Sequence, residues 1–76
     1  MARKTKENSE VRKIIGANIK AARERQNLSQ EEVAERAGMK ANYYAKIERG
    51  VLGTAPEKIH SIIKALGVSA SDIFPS

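Results

Sequence analysis

The side chains of this chain that could do chemistry are hydrogen-bonding and charged groups, not nucleophiles or metal ligands. Among 76 residues there is one histidine, His60, and no cysteine, which excludes disulfides and thiolate metal sites. No glycine-rich phosphate loop is present, nor paired carboxylates in a plausible pocket, so an enzyme is not expected and neither cofactor nor metal is implied. His60 falls on the surface side of a helical pattern. The informative residues lie in the run from Leu28 to Gly50. Helical spacing there turns Val33, Ala37, Met39, Tyr44 and Ile47 inward and leaves Ala41, Asn42, Ala45 and Lys46 on an outer face. An outer face of small and polar residues suits a groove.

The elements that must position that face are legible from their start and stop signals. Leu28 to Gly50 reads as two short amphipathic helices joined by a turn at Gly38, the arrangement of helix-turn-helix DNA binders. Ser29 can cap a helix beginning at Gln30, and Glu32 can reach back to complete a capping box. Gly38 can take the left-handed conformation that ends that helix, and small Ala34 lets a second helix cross closely. Upstream, a helix is expected from about Val11 to Gln26, burying Val11, Ile15, Ile19 and Ala22, with Ser9 as cap and Asn27 as terminator. Gly16 inside it reads as a close-packing glycine, at a cost of about 1 kcal/mol relative to alanine. Downstream, Arg49 to Ala55 reads as a loop and Pro56 opens a fourth helix with Ile59, Ile62, Ile63 and Leu66 as its apolar stripe. Gly67 stops it, Ser69 and Asp72 can cap a short fifth helix, and Pro75 follows Ile73 and Phe74. The expectation is one compact all-α domain of five helices over residues 11–76, preceded by a flexible basic arm over residues 1–10.

The formal charge is +5, and it is uneven. Up to Gln26 there are eight basic residues, among them Arg3, Lys4 and Lys6, against three acidic ones, whereas the rest balances six against six. A basic end attracts polyanions; the plainer reading is a solvated helix face and a solubilising tail. The first ten residues lack the apolar core of a signal peptide, and no run approaches the roughly 18 apolar residues needed to span a membrane. A soluble, cytoplasmic protein with no membrane association is expected.

Taken together, Arg23, Leu28-Ser29-Gln30-Glu31-Glu32, Val33-Ala34, Gly38, Tyr43, Ile47-Glu48-Arg49-Gly50, Ala65-Leu66-Gly67-Val68 and Asp72-Ile73-Phe74 resemble the lambda-repressor and Cro-like, or XRE, family of bacterial and phage regulators, over Gly16 to Phe74. The resemblance implies a sequence-specific double-stranded DNA-binding transcriptional regulator, a repressor in the first instance. It implies a mostly buried ion pair between Arg23 and Glu48 that fastens the first helix to the recognition helix. It also implies that Ala41 to Glu48 enters the major groove, with Asn42 and Lys46 as the main base contacts, then Tyr43 and Lys40, and Ala41 against a thymine methyl. Gln30 at the start of the second helix, Lys40 and Arg49 are expected on phosphates, and Arg3, Lys4 and Lys6 along the duplex as an arm.

A homodimer on a near-palindromic operator is the family's usual solution, its two recognition helices about 34 to 36 Å apart. Val51, Leu52, Val68, Ile73 and Phe74 are candidates for its interface, with Ile73 or Phe74 at least partly in the core. The chain departs from the family pattern in three places. Tyr44 replaces an aliphatic residue, so its hydroxyl needs a partner or solvent. Ala41 stands where several phage repressors carry a base-reading glutamine, and the loop from Val51 to Ala55 lacks basic residues. The alternative is an antitoxin or adaptor that uses the same fold to bind a protein partner.

Overall fold

The computed structural model describes residues 2–51 and 55–75, with side chains from Ser9 onward. Five helices follow one another: α1 (Ala2–Arg25), α2 (Gln30–Ala37), α3 (Ala41–Arg49), α4 (Pro56–Leu66) and α5 (Ala70–Ile73). Among the described residues there is no strand, and no helix is long and apolar enough to cross a membrane.

Helix α1 begins at Ala2, whereas the apolar period points to Val11. The segment ARKTKENSE contains neither proline nor glycine, so nothing interrupts a helix that the buried stripe has already nucleated, and propagation needs only one more hydrogen bond per residue. The arm expected over residues 1–10 therefore has helical backbone from Ala2, and Ser9 lies inside the helix instead of capping it. The buried stripe is Ile15, Ile19 and Ala22; Val11, expected in the core, is 41% exposed and Ile14 44%. Spacing alone placed Val11 on the side of the stripe, but at a level where the described residues leave it largely uncovered.

The chain leaves α1 through Asn27, whose φ of 57° is left-handed, a conformation asparagine tolerates better than most residues. Ser29 and Glu32 then form the reciprocal capping box at the start of α2. Gly38, with φ 74°, ends α2, and the Met39 N–H returns to the Ala34 carbonyl at 2.9 Å. That left-handed residue turns α3 across α2, against buried Val33 and Ala34.

Helix α4 buries Ile59, Ile62, Ile63 and Leu66, and α5, capped by Ser69 and Asp72, buries Ile73 completely. One amide of α1 and one just past its end close the ends of these helices. Asn18 Nδ2 donates to the Ile73 carbonyl and Gln26 Nε2 to the Leu66 carbonyl, both at 2.8 Å. They satisfy acceptors that have no partner within their own helix.

At Gly16 the backbones of α1 and α3 touch. A methyl group there would lie against the carbonyls of Ile47 and Glu48, with the Glu48 carbonyl carbon 2.8 Å away. Gly16→Ala gains about 1 kcal/mol of helix preference but must push α3 off α1, and overpacking of this kind costs about 1 to 3 kcal/mol. The expected result is a net loss of stability, read as a lower urea midpoint. An unchanged or higher midpoint would show that the two backbones are not in contact.

Candidate nucleic-acid interface

The outer face of α3 is set by what holds its inner face. Glu48, buried with its side chain 3% exposed, receives the Arg23 guanidinium at 2.6 Å (Nε to Oε2) and 3.2 Å (Nη2 to Oε1). Gln30 Nε2 donates to the same carboxylate at 2.9 Å, and Arg23 Nη1 donates to the Leu28 carbonyl at 2.9 Å. One carboxylate on α3 thus gathers α1, the entry to α2 and α2 itself. Burial pushes the Glu48 carboxyl up, but the hydrogen bonds and charge of Arg23, with help from the neighbouring Tyr44 hydroxyl and from Gln30, outweigh it and hold the group below its ordinary pKa. The Arg23 guanidinium is correspondingly held above its ordinary value, first by its hydrogen bond to Glu48.

Tyr44 is fully buried beside this network. Its hydroxyl is the one buried side-chain polar atom among the described residues that lacks a hydrogen-bond partner. Burial, and then the neighbouring Glu48 carboxylate, push the phenol far above its usual range, so it stays neutral.

With Tyr44, Ile47 and Glu48 buried, Asn42, Lys46 and Arg49 form the opposite stripe, at one-turn intervals. Asn42 and Arg49 are exposed and Lys46 is partly so. Ala41 lies at one margin of the stripe and Tyr43 at the other, both partly buried against the core. Lys40, exposed, precedes the first turn of α3 and makes no capping bond through its side chain. Gln30 sits at the start of α2, where its amide nitrogen is committed to Glu48; what remains for a phosphate is mainly the N–H groups of the first turn.

Arg3, Lys4 and Lys6 fall on the first turns of α1, with side chains outside the described residues. Of the apolar residues expected at a dimer interface, Ile73 is in the core and Val68 packs against it, while Val51 and Phe74 are 56% and 41% exposed. Leu52 lies outside the described residues. The Gln30 to Glu48 bond and the amides of Asn18 and Gln26 on α5 and α4 are not legible in the sequence. Their partners are distant in sequence and carry no local pattern.

Two crossed helices, a left-handed turn between them and a polar outer stripe on the second define a helix-turn-helix domain. The helix-turn-helix family model matches residues 19–73, and the chain belongs to that family of DNA-binding transcriptional regulators, proteins without catalytic activity. It is 35% identical over 60 residues to the uncharacterized HTH-type transcriptional regulator y4dJ of Sinorhizobium fredii, covering 79% of this chain and 78% of that one. The control protein C.BamHI of Bacillus amyloliquefaciens is 33% identical over 64 residues, covering 83% of this chain and 79% of its own length. The immunity repressor of Bacillus phage phi105 is 34% identical over 59 residues, but the match spans 78% of this chain and only 41% of the repressor. The crystal structure of the clp gene regulator ClgR from Corynebacterium glutamicum superposes with a TM-score of 0.80 at 28% identity, over 83% of this chain and 82% of that one.

Two outcomes follow from the network. Because Glu48 ionises more readily in the folded chain than in the unfolded one, its contribution is complete above the ordinary carboxylate pKa and is lost as pH falls through the lower folded value. Glu48→Gln, which mimics the protonated acid, should therefore lower stability at pH 7 by roughly 3 kcal/mol, and the gap to wild type should close in acid; urea titrations across the acid range measure it, and a gap that persists unchanged would contradict an ionised Glu48. Tyr44→Phe removes a buried hydroxyl that has no partner, so it should leave stability unchanged or raise it by up to about 1 kcal/mol. A thermal melt of this variant clearly below wild type would place that hydroxyl in a real hydrogen bond.

Proposed function

We propose that this domain is a sequence-specific transcriptional repressor in the cytoplasm that lays α3 into the major groove of double-stranded DNA. The observation that carries this reading is the stripe of Asn42, Lys46 and Arg49, exposed or partly exposed on a helix whose opposite face is tied by Glu48 to Arg23 and Gln30. An amide can bond bidentately to adenine and a lysine can donate to guanine in that groove, where each base pair presents a distinct pattern. Asn42 and Lys46 are therefore the base readers, with Ala41 close enough to the same face to meet a thymine methyl. Lys40, Arg49 and the first turn of α2 at Gln30 set the register on phosphates, where amide groups and the helix dipole favour an anion. Arg3, Lys4 and Lys6, at the start of α1, add sequence-independent attraction to the duplex.

The active form is a homodimer on a near-palindromic operator, and Val51 and Phe74, exposed beyond the core, supply apolar surface for its interface. The name of the phage immunity repressor supports repression over other outcomes. The second reading is an antitoxin or adaptor that buries these same residues, together with Val11 and Ile14, against a different protein.

Selection of bound duplexes from a random library at about 0.15 M salt separates the two readings. The expected product is an inverted repeat bound about a thousandfold or more above scrambled DNA. Asn42→Ala and Lys46→Ala should each remove about 1 to 3 kcal/mol of that discrimination. Lys40→Gln and Arg49→Gln should instead weaken binding to selected and scrambled duplexes alike and flatten the salt dependence. No enriched sequence, or equal losses on both duplexes for Asn42→Ala, would end the base-reading assignment.

A further inference from the structure

One charged side chain near α3 belongs to neither the motif nor the basic amino end. Lys58, exposed in the first turn of α4, holds its ammonium 5.7 Å from the centroid of the Tyr43 ring, within the range of a cation-π contact. The ring is itself partly buried against the core, so it is a fixed platform. Lys58 and Tyr43 share one shallow depression with Glu35, Gly38, Met39 and Lys40. That depression lies at the turn and the amino end of α3, the end that a recognition helix directs at base edges.

The local charge is uneven in a part of the chain that is otherwise balanced. From Asn27 onward basic and acidic residues are equal in number, yet this depression brings two lysines together with a single carboxylate, Glu35, while Glu57 neighbours Lys58 on α4. Phosphates run along both edges of the major groove, so cations beside the amino end of α3 meet one when that end enters. A free lysine would lose much of its rotamer freedom on making such a contact; one already resting on an aromatic face loses less.

The same geometry bears on Tyr43. It is rotated by about 100° from Asn42 around α3, towards α4, and its face is occupied by Lys58.

We propose that Lys58 is a contact to the DNA backbone acting beside Lys40, and that Tyr43 is the positioning residue that holds it, not a reader of bases. This rests on the DNA-binding reading of α3, and salt titration of binding tests it. The probes are the duplex that wild type selects and a mixed-sequence duplex. Wild type is measured first: if it binds neither duplex, the DNA reading itself fails before any variant is made. Given binding, Lys58→Gln should reduce the slope of log affinity against log salt by about 0.9, the value for one phosphate, equally on both probes. Lys58→Arg should retain the slope. Tyr43→Leu, which removes the aromatic face, should move the slope towards that of Lys58→Gln, whereas Tyr43→Phe, which keeps it, should leave slope and discrimination unchanged. Lys58 is exposed, so a matching thermal melt verifies that Lys58→Gln is folded. An unchanged slope in Lys58→Gln would overturn the phosphate contact, and a loss of discrimination confined to the selected duplex in Tyr43→Phe would return Tyr43 to base reading.

Discussion

Everything outward on α3 depends on one inward interaction, the carboxylate of Glu48 held by Arg23. A nine-residue helix has too few turns to keep its own shape and orientation in water, so its stability must come from the surface it packs on. Apolar contacts of Tyr44 and Ile47 supply burial but little direction, because burial is proportional to area and indifferent to small rotations. The paired hydrogen bonds from Arg23 Nε and Nη2 to the two oxygens of Glu48 are directional. They fix both the height of α3 along α1 and its rotation. The remaining valences are used as well: Gln30 takes up further capacity of the carboxylate, and the Leu28 carbonyl accepts from Arg23. A buried pair left half-satisfied would be a liability, and an ion pair even when satisfied is weak evidence of net stability. Its role here is orientation.

Helix α1 is the common member of these contacts. Gly16 brings its backbone against the carbonyls of Ile47 and Glu48, Arg23 reaches across to the end of α3, and Asn18 and Gln26 close the last carbonyls of α5 and α4. Asn18 and Arg23 lie on α1 and Gln26 just past its end, within a few residues of the apolar stripe Ile15, Ile19 and Ala22. One helix therefore contributes both the wall of the core and the hydrogen bonds that terminate its neighbours. Among the described residues the hydroxyl of Tyr44 is the one buried side-chain polar atom without a partner.

This arrangement separates two surfaces by chemistry. On one side are Asn42, Lys46 and Arg49, with Lys40 and Lys58 around the amino end of α3; hydrogen-bond donors and cations there suit a polyanion with patterned edges. Elsewhere Val11, Ile14, Val51 and Phe74 leave apolar atoms in contact with water. Scattered exposed apolar residues are ordinary on a small domain.

Sequence by itself determined the local parts: the capping boxes at Ser29 and Ser69, the turns at Asn27, Gly38 and Gly67, the stripe of α4, and the inward and outward faces of α3. Each of these rests on interactions among residues a few positions apart, where periodicity and side-chain type are sufficient. Even the close-packing role of Gly16 was readable, since a glycine inside a strong helical pattern has few other uses. The pairing of Arg23 with Glu48 was readable by resemblance, because no spacing rule links residues so far apart. Tertiary structure alone decided where α1 ceases to be covered, leaving Val11 exposed, and which partner Gln30 takes. It also decided that Lys58 of α4 rests on Tyr43 of α3. The physical reason is common to all three: burial, hydrogen-bond partners and cation-π contacts depend on which helix lies opposite, and that is set by the packing of the whole chain.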